Sequence, residues 1–471
     1  MKRKPKLSFW QIWNLSFGFL GVQIGYSLQN SNTSSIFESL GADVSHLSYF
    51  WLAAPLAGMV IQPIIGMFSD GTWTRFGRRI PYILGGAVIS TIALMLMPNC
   101  PLLLAFAPLA MGAFILLFMD LSFNVTMQPF RALVADMLDD SQKTTGYVVQ
   151  TFLINLGAVI GAFLPLVMTW LGVSDEAVPG HVSKHIAYSY YVGGVILLLT
   201  VLVTAFKTKE YPPKEFAEYN RISCDGTSVD GASADSFTAG KSTDNVAAGE
   251  PADNSAAGAS EIHSNQRQSF ISLVRNMPEV MARLGVTQFF SWAALFMMWT
   301  YLKPAITGVV TDGAGQVLTD GATQTWVGVL NGIYPIPSCI AALFLGKIAA
   351  KYGNKAIYAV TLLFGALGFA GLYFIHNQYM LMIPMVGIGI AWAGILAMPY
   401  SILSRAVDAS KMGVYMGIFN FTITIPQIAM GLAGGAIVKY CFGSDASMML
   451  VLAGVFMFLA ALSVFFVKEY N

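Results

Sequence analysis

The chain has 471 residues, of which 55% are hydrophobic and 11% are charged, and its formal net charge is +1. The mean hydropathy of +0.62 excludes an ordinary soluble enzyme and indicates a membrane protein, and we expect no nucleic-acid partner. The four cysteines have neither metal-ligand nor redox spacing, so we expect no metal site, no cofactor and no disulfide framework.

Apolar runs that are long enough to cross a bilayer follow one another along the whole chain. We place twelve spans at 10–29, 47–69, 80–98, 103–128, 147–170, 187–206, 280–302, 325–349, 356–375, 379–404, 411–438 and 446–467. This pattern predicts an all-α membrane protein with twelve transmembrane helices.

Lysines and arginines are concentrated in alternate connecting segments. They lie before span 1, between spans 2 and 3, after spans 4 and 6, between spans 8 and 9, between spans 10 and 11, and after span 12. The opposite loops carry only Lys184, Lys303 and Lys439. The positive-inside rule therefore predicts that both termini are cytoplasmic, and we expect no cleaved signal sequence.

The fourth span contains an acidic residue deep within apolar sequence. Asp120, Asn124 and Arg131 fall within roughly 40° on a helical wheel and form a narrow polar stripe. A charge near the bilayer centre costs about 2.5–3.5 kcal/mol, so it usually serves a proton or substrate pathway. The alternative is a structural ion pair or a protonated acid that joins two helices. Asp120 and Arg131 are about 16 Å apart along one helix, too far for a direct ion pair without bending or water.

The composition changes abruptly between spans 6 and 7. Residues 222–262 are rich in Ala, Ser, Gly and Asp and cannot bury enough apolar surface to fold, so we predict a disordered tether there. The predicted domains are an N-terminal six-helix bundle at 1–206, a cytoplasmic linker at 207–279 and a C-terminal six-helix bundle at 280–471.

The two halves contain similar segments. Gly66-MFSDGTWTRFGRR-Ile80 after span 2 is matched by Gly346-KIAAKYGNK-Ala356 after span 8. Met127-QPFRAL-Val134 is matched by Ala397-MPYSIL-Ser404. A six-plus-six repeat of this kind is the layout of the major facilitator superfamily, whose halves rock about a central site.

The loop after span 2 combines a glycine turn with several charges, so we expect it to hold the cytoplasmic gate closed. Asp70 is expected at a helix end or beside an arginine. The predicted gate residues are Asp70, Arg75, Gly77, Arg78, Arg79 and Asp136.

Four segments resemble those of the plant sucrose–proton symporters and their animal and bacterial relatives, in the glycoside–pentoside–hexuronide:cation symporter group. They are Val22-QIGYSLQN-Ser31, residues 51–84, the Asp-x3-Asn-x4-Pro-x-Arg-Ala-Leu-x2-Asp pattern that begins at Asp120, and Gly417-IFNFTITIPQ-Ile428. The resemblance implies sugar–proton symport rather than an enzymatic activity. It also implies that Asp120 binds sugar hydroxyls and takes the coupling proton, with Asn124 and Arg131 in the sugar cavity or in control of that proton.

Sugar recognition uses flat rings for apolar sugar faces and amides for hydroxyls. Rings and amides of this kind within spans are Gln23, Tyr26, Gln29, Asn155, Gln288, Trp292, Trp299, Asn331, Tyr334, Trp392, Asn420 and Gln427. Of these we select Gln23, Tyr26, Trp299, Asn331 and Gln427. Each has a structural alternative, because aromatic residues near span ends often anchor at the membrane interface and amides often join neighbouring helices.

The choice of coupling ion and sugar rests on smaller features. Span 2 contains no acid, which favours protons over sodium. The stretch Phe296-MMWTYLKP-Ala305 lacks the acids of the plant proteins and resembles bacterial relatives that favour α-glucosides, so we expect maltose first and sucrose second. We expect a monomer in a bacterial inner membrane. Sodium coupling, another solute such as a glycoside or nucleoside, and a sugar sensor that does not transport remain open.

Overall fold

The structure is a computed structural model that describes residues 4–40, 53–104, 106–174, 181–225, 275 and 277–468. Long helices account for most of these residues, because a helix satisfies its own backbone hydrogen bonds inside a bilayer. The helices of the first half are α1 (Phe9–Ser39), α2 (Ala53–Gly71), α3 (Ile80–Leu96), α4 (Pro108–Met137), α5 (Asp140–Trp170) and α6 (Lys184–Lys207).

A further helix, α7 (Pro213–Asp225), follows the first six. It reaches into the predicted tether, and the rest of 222–262 lies outside the described residues. The second half contains α8 (Glu279–Ile306), α9 (Asp320–Ile333), α10 (Pro335–Tyr352), α11 (Asn354–Phe374), α12 (Met382–Ala406), α13 (Met412–Phe419), α14 (Phe421–Ala436) and α15 (Met448–Ser463).

Within the described residues, ten helical segments are long and apolar enough to cross a membrane. Helices α1 and α2 are not among these ten, but they lie at the first two predicted spans. The prediction of an all-α membrane protein is confirmed. Of the described residues, those from 4 to 213 and from 278 to 468 form one compact unit, and residues 214–225, 275 and 277 belong to a separate unit.

Helices α1 to α6 pack among themselves in the first bundle, and helices α8 to α12, α14 and α15 pack in the second, while α13 packs mainly on α2 and α4. The bundles meet along two lines, where α2 contacts α13 and α5 contacts α10 and α12. Small residues allow the closest of these contacts, as is usual for helices that pack within membranes.

Two predicted spans ended too early. Helix α4 runs through Pro129 to Met137 rather than ending at residue 128. A proline removes one N–H, and buried residues on both sides of Pro129 hold the helix together. Helix α1 continues to Ser39 rather than ending at residue 29, because Asn32 and Thr33 bond their side chains to carbonyls one turn earlier, at 2.9 and 2.6 Å.

Two predicted spans are interrupted. The eighth changes from α9 to α10 at Tyr334, where Pro335 follows directly. The eleventh changes from α13 to α14 at Asn420, whose N–H bonds the carbonyl of Gly417 at 3.1 Å in a tighter turn than an α-helix has. Breaks of this kind in membrane helices occur where the backbone is buried in protein or lines a cavity.

Candidate functional site

The carboxylate of Asp120 lies between α4 and α1. It is 1% exposed and accepts a hydrogen bond of 2.5 Å from the side-chain amide of Gln29 on α1. Gln29 is also 1% exposed, and its amide oxygen has no hydrogen-bond partner among the described residues. The acid is thus held by a neutral group rather than by a cation, within a helix that is apolar enough to span the membrane.

Asn124 lies one turn further along α4. Its amide nitrogen donates to the backbone oxygen of Asp120 at 2.8 Å, and its amide oxygen accepts from Gln62 of α2 at 2.6 Å. Both polar atoms of Asn124 therefore have partners in this conformation, and the bond to Gln62 joins α4 to α2. Gln62 was not singled out from the sequence, although a buried amide in an apolar span is a recognisable signal.

Arg131 lies where the two bundles meet. Its guanidinium stands 4.2 Å from the ring centre of Tyr400 on α12, and its backbone oxygen accepts from the Tyr147 hydroxyl at 3.1 Å. A cation over an aromatic face is attracted by the ring quadrupole. The structure therefore gives Arg131 and Asp120 different partners, as their separation along α4 predicts.

The second bundle carries a group of four aromatic side chains, which we call the aromatic cluster: Trp292, Trp299, Tyr334 and Trp392. Ring centres of Trp392 lie 5.4 Å from Trp292, 6.0 Å from Trp299 and 6.1 Å from Tyr334, all edge to face. The Nε1 of Trp292, which is 7% exposed, has no hydrogen-bond partner among the described residues. The cluster offers apolar ring faces together with an unused donor.

Tyr26 lies on α1, three residues before the Gln29 that bonds Asp120. Its ring packs edge to face on Phe123 of α4 at 5.8 Å. Of the predicted sugar residues, Tyr26 thus lies one helical turn from the partner of Asp120, and Trp299 belongs to the aromatic cluster.

The remaining predicted sugar residues are half-buried. Asn331 lies on α9 just before the Tyr334 break, and its buried amide oxygen has no partner among the described residues. Gln23 lies on α1, beside Gly157 of α5. Gln427 lies on α14. Only Asn331 is adjacent in the chain to the aromatic cluster.

One end of the bundles carries Arg78, Arg79, Lys143 and Arg405, and we call it the basic end. A cluster of ion pairs lies there. Arg79 is fully buried and binds Asp136 at 2.8 Å and Asp70 at 2.5 Å, while Arg78 pairs with Asp136 at 2.7 Å. Burial acts to lower the pKa of Arg79, but Asp136 and Asp70 hold that pKa above its ordinary value. Arg79 therefore stays charged at every working pH.

Asp70 also reaches across to the second bundle. Its two carboxylate oxygens accept from the backbone N–H groups of Gly413 and Val414, at 2.9 and 2.8 Å. These groups belong to the first turn of α13, where a carboxylate stabilises the unsatisfied N–H groups and the helix dipole. Asp70 is thus both an arginine partner and a helix cap, and it joins the two bundles.

Glu210, which follows α6, supports the same loop and was not predicted. Its carboxylate accepts from the N–H groups of Arg78, Arg79 and Ile80 at 3.0, 2.8 and 3.0 Å, and so caps α3. Burial raises the pKa of Glu210 in spite of these three hydrogen bonds, which act to lower it.

Two predicted gate residues differ in their setting. Gly77 has a φ of +111°, and a Cβ there would lie 2.5 Å from a carboxylate oxygen of Glu210. Arg75 is exposed over the ring of Phe76, at 4.6 Å, and stands outside the ion-pair cluster. The loop points Arg78 and Arg79 inward, since they directly precede α3.

The start of α5 makes a second connection between the bundles. Lys143 donates to the backbone oxygen of Ser404 at 2.7 Å, and the hydroxyls of Thr144 and Ser401 lie 2.8 Å apart. Arg405 donates to Thr144 at 2.9 Å. The bundles are therefore bonded to each other at the basic end.

The fold and the two bonded bundles define a membrane transporter, and comparison with known families agrees. The family described as MFS/sugar transport protein matches residues 36–225, and the Major Facilitator Superfamily matches residues 284–470. The chain belongs to the major facilitator superfamily.

Individual relatives are distant. The chain is 22% identical to sucrose transport protein SUC4 of Arabidopsis thaliana over 459 residues, which cover 88% of this chain and 81% of that protein. It is 27% identical to the general alpha-glucoside permease of Schizosaccharomyces pombe over 228 residues, 45% of this chain and 39% of that protein. The crystal structure of the E. coli fucose:proton symporter superposes with a TM-score of 0.66 at 11% identity, over 98% of each chain.

Proposed function

We propose that this protein imports a disaccharide, an α-glucoside such as maltose or else sucrose, together with a proton by alternating access. The observation that carries the proposal is the buried Asp120, which is bonded to neutral Gln29 within a helix that is apolar enough to span the membrane. We place it as a monomer in a cell membrane, the bacterial inner membrane, with both termini and the basic end in the cytoplasm.

The setting of Asp120 supports a proton as the coupling ion. A lone charge in an apolar environment is costly, and one proton removes that charge without any further ligand. Within the described residues, no group of three His, Cys, Asp or Glu side chains could hold a metal ion. One proton that crosses 100 mV supplies about 2.3 kcal/mol, enough for one to two decades of sugar accumulation.

The two bundles divide the chemistry that a sugar needs. Asp120 and its amide neighbours can accept and donate hydrogen bonds to hydroxyls, while the aromatic cluster can pack against apolar sugar faces. The names of the Arabidopsis and fission-yeast relatives, a sucrose transport protein and an alpha-glucoside permease, support a sugar of this class.

The test is to record external pH in de-energised cells that express the protein, while maltose, sucrose, trehalose and melibiose are added in turn. We expect alkalinisation with maltose or sucrose, and none with Asp120→Asn, because an amide cannot take the proton. Asp445→Asn, in an exposed loop, is the matched control and should alkalinise normally.

Labelled sugar uptake in the same cells distinguishes the alternatives. Uptake that needs sodium and leaves the external pH unchanged would reject proton coupling. No uptake and no pH change with any of the four sugars would reject the disaccharide.

A further inference from the structure

The eleventh span is divided at Asn420 into halves that pack differently: α13 contacts α2 and α4 of the first bundle, whereas α14 contacts mainly α8 and, to a smaller extent, α2. All eight residues of α13 are buried, and α13 packs on α2 so closely that a Cβ on Gly66 would lie 2.3 Å from the backbone oxygen of Gly413. Gln128 of α4 binds that same oxygen at 2.6 Å. The other half, α14, packs on α8 of its own bundle, where Gly434 lies against Tyr301.

The side chain of Asn420 lies at this division, beside the amides of the first bundle. A Cβ on Gly58 of α2 would lie 3.1 Å from the amide nitrogen of Asn420 and 3.0 Å from the amide oxygen of Asn124. Asn420 is only 6% exposed, yet its side chain makes no hydrogen bond within the described part of the chain. The amide can therefore take a new partner from the first bundle without breaking a hydrogen bond to a described residue.

The partner of Asn124 in this conformation is Gln62, in its own bundle. Asn124 is also tied to the backbone of Asp120 by its amide nitrogen, so a shift of α4 at Asp120 moves the amide oxygen as well. A small movement would bring that oxygen to the unpartnered donor of Asn420.

We infer that Asn420 is a positioning residue that couples Asp120 to the gate: the amide oxygen of Asn124 exchanges Gln62 for Asn420 when Asp120 binds its proton and sugar. The exchange transfers a hydrogen bond from within one bundle to the division between α13 and α14. The new bond holds the span at Asn420, and α13 can then bend about that point away from α2. This inference rests on the proposed function.

The experiment compares wild type, Asn420→Ala and Thr422→Ala in proteoliposomes. Thr422 is the matched control, because its hydroxyl bonds the Phe419 carbonyl at the same division without touching the amides. Two quantities are measured with the sugar that alkalinises wild-type cells: exchange of labelled sugar without a gradient, and proton entry with and without sugar.

Asn420→Ala should keep sugar exchange within about twofold, while the ratio of sugar-dependent to sugar-independent proton entry falls about tenfold, as expected for the loss of one hydrogen bond. Thr422→Ala should keep the wild-type ratio. A merely structural role for Asn420 would lower exchange and proton entry together and leave their ratio unchanged, which would overturn the inference.

Gly58→Ala provides an independent variant if Asn420→Ala does not fold. Its methyl group would enter between the two amides and should lower the same ratio from the other bundle. An unchanged ratio in Gly58→Ala would also overturn the inference. If wild type itself moves no protons with sugar, the proposed function fails; if wild type does and both variants match it, only the role of Asn420 fails.

Discussion

At the scale of single residues, Gly77 is a position that requires glycine. Its φ of +111° disfavours any side chain, and Glu210 occupies the space that a Cβ would need. Gly77→Ala should therefore displace the Glu210 carboxylate that caps α3. It should lower the free energy of unfolding by about 1–3 kcal/mol. Thermal unfolding in detergent measures this loss.

Gly85→Ala is the control for Gly77→Ala. Gly85 lies on α3, and a Cβ there would meet nothing within 4 Å. That variant should match wild type or exceed it slightly, because alanine favours a helix over glycine. Equal stability of the two variants would show that Glu210 does not depend on the glycine.

At the scale of helices, we expect the contact between α2 and α13 to hold the basic end closed. Asp70 caps α13, and the backbones of Gly66 and Gly413 touch. The added methyl group of Gly66→Ala should force α2 and α13 apart and destabilise the closed conformation by about 1–3 kcal/mol through overpacking. The fraction of molecules that are open at the basic end should then rise at least about fivefold. Labelling of a cysteine at the buried Thr144, in a chain without its four native cysteines, reports that opening.

Gly435 lies on α14, in the same span as α13, and a Cβ there would meet nothing within 4 Å. Gly435→Ala should therefore leave the labelling rate of Thr144→Cys unchanged. If Gly66→Ala labels no faster than this control, the contact between α2 and α13 does not hold the basic end closed.

At the scale of the whole molecule, transport by alternating access requires the bundles to separate at the basic end. The hydroxyls of Thr144 and Ser401 lie 2.8 Å apart across the bundles, so cysteines at both positions should form a disulfide. The oxidised double variant should stop sugar uptake, and a reductant should restore it, because the bond joins α5 to α12. Each single cysteine variant is the control, and full uptake by the oxidised double variant would contradict rigid closure there.

Much of this architecture was predictable from local chemistry. Apolar length placed the spans, because a bilayer imposes a fixed thickness on any chain that crosses it. The cost of burying a charge made Asp120 conspicuous, and the glycine turn with its arginines marked the loop that forms the ion-pair cluster. The predicted end of the first span was wrong because polar side chains satisfied by their own helix do not stop a helix. Helix α4 runs past the end of the fourth span and carries Arg131, as the helical wheel requires.

The sequence by itself determined the all-α membrane class and the position of the deep acid, since both depend on the free energy of placing particular groups in a membrane. Only the tertiary structure decided which groups meet. Gln29 beside Asp120, Asp70 on the first turn of α13, Glu210 under the α3 loop and Asn420 beside Asn124 join residues that are far apart in the chain. Such contacts follow from how helices pack, which depends on the shapes of two surfaces together and not on either segment alone.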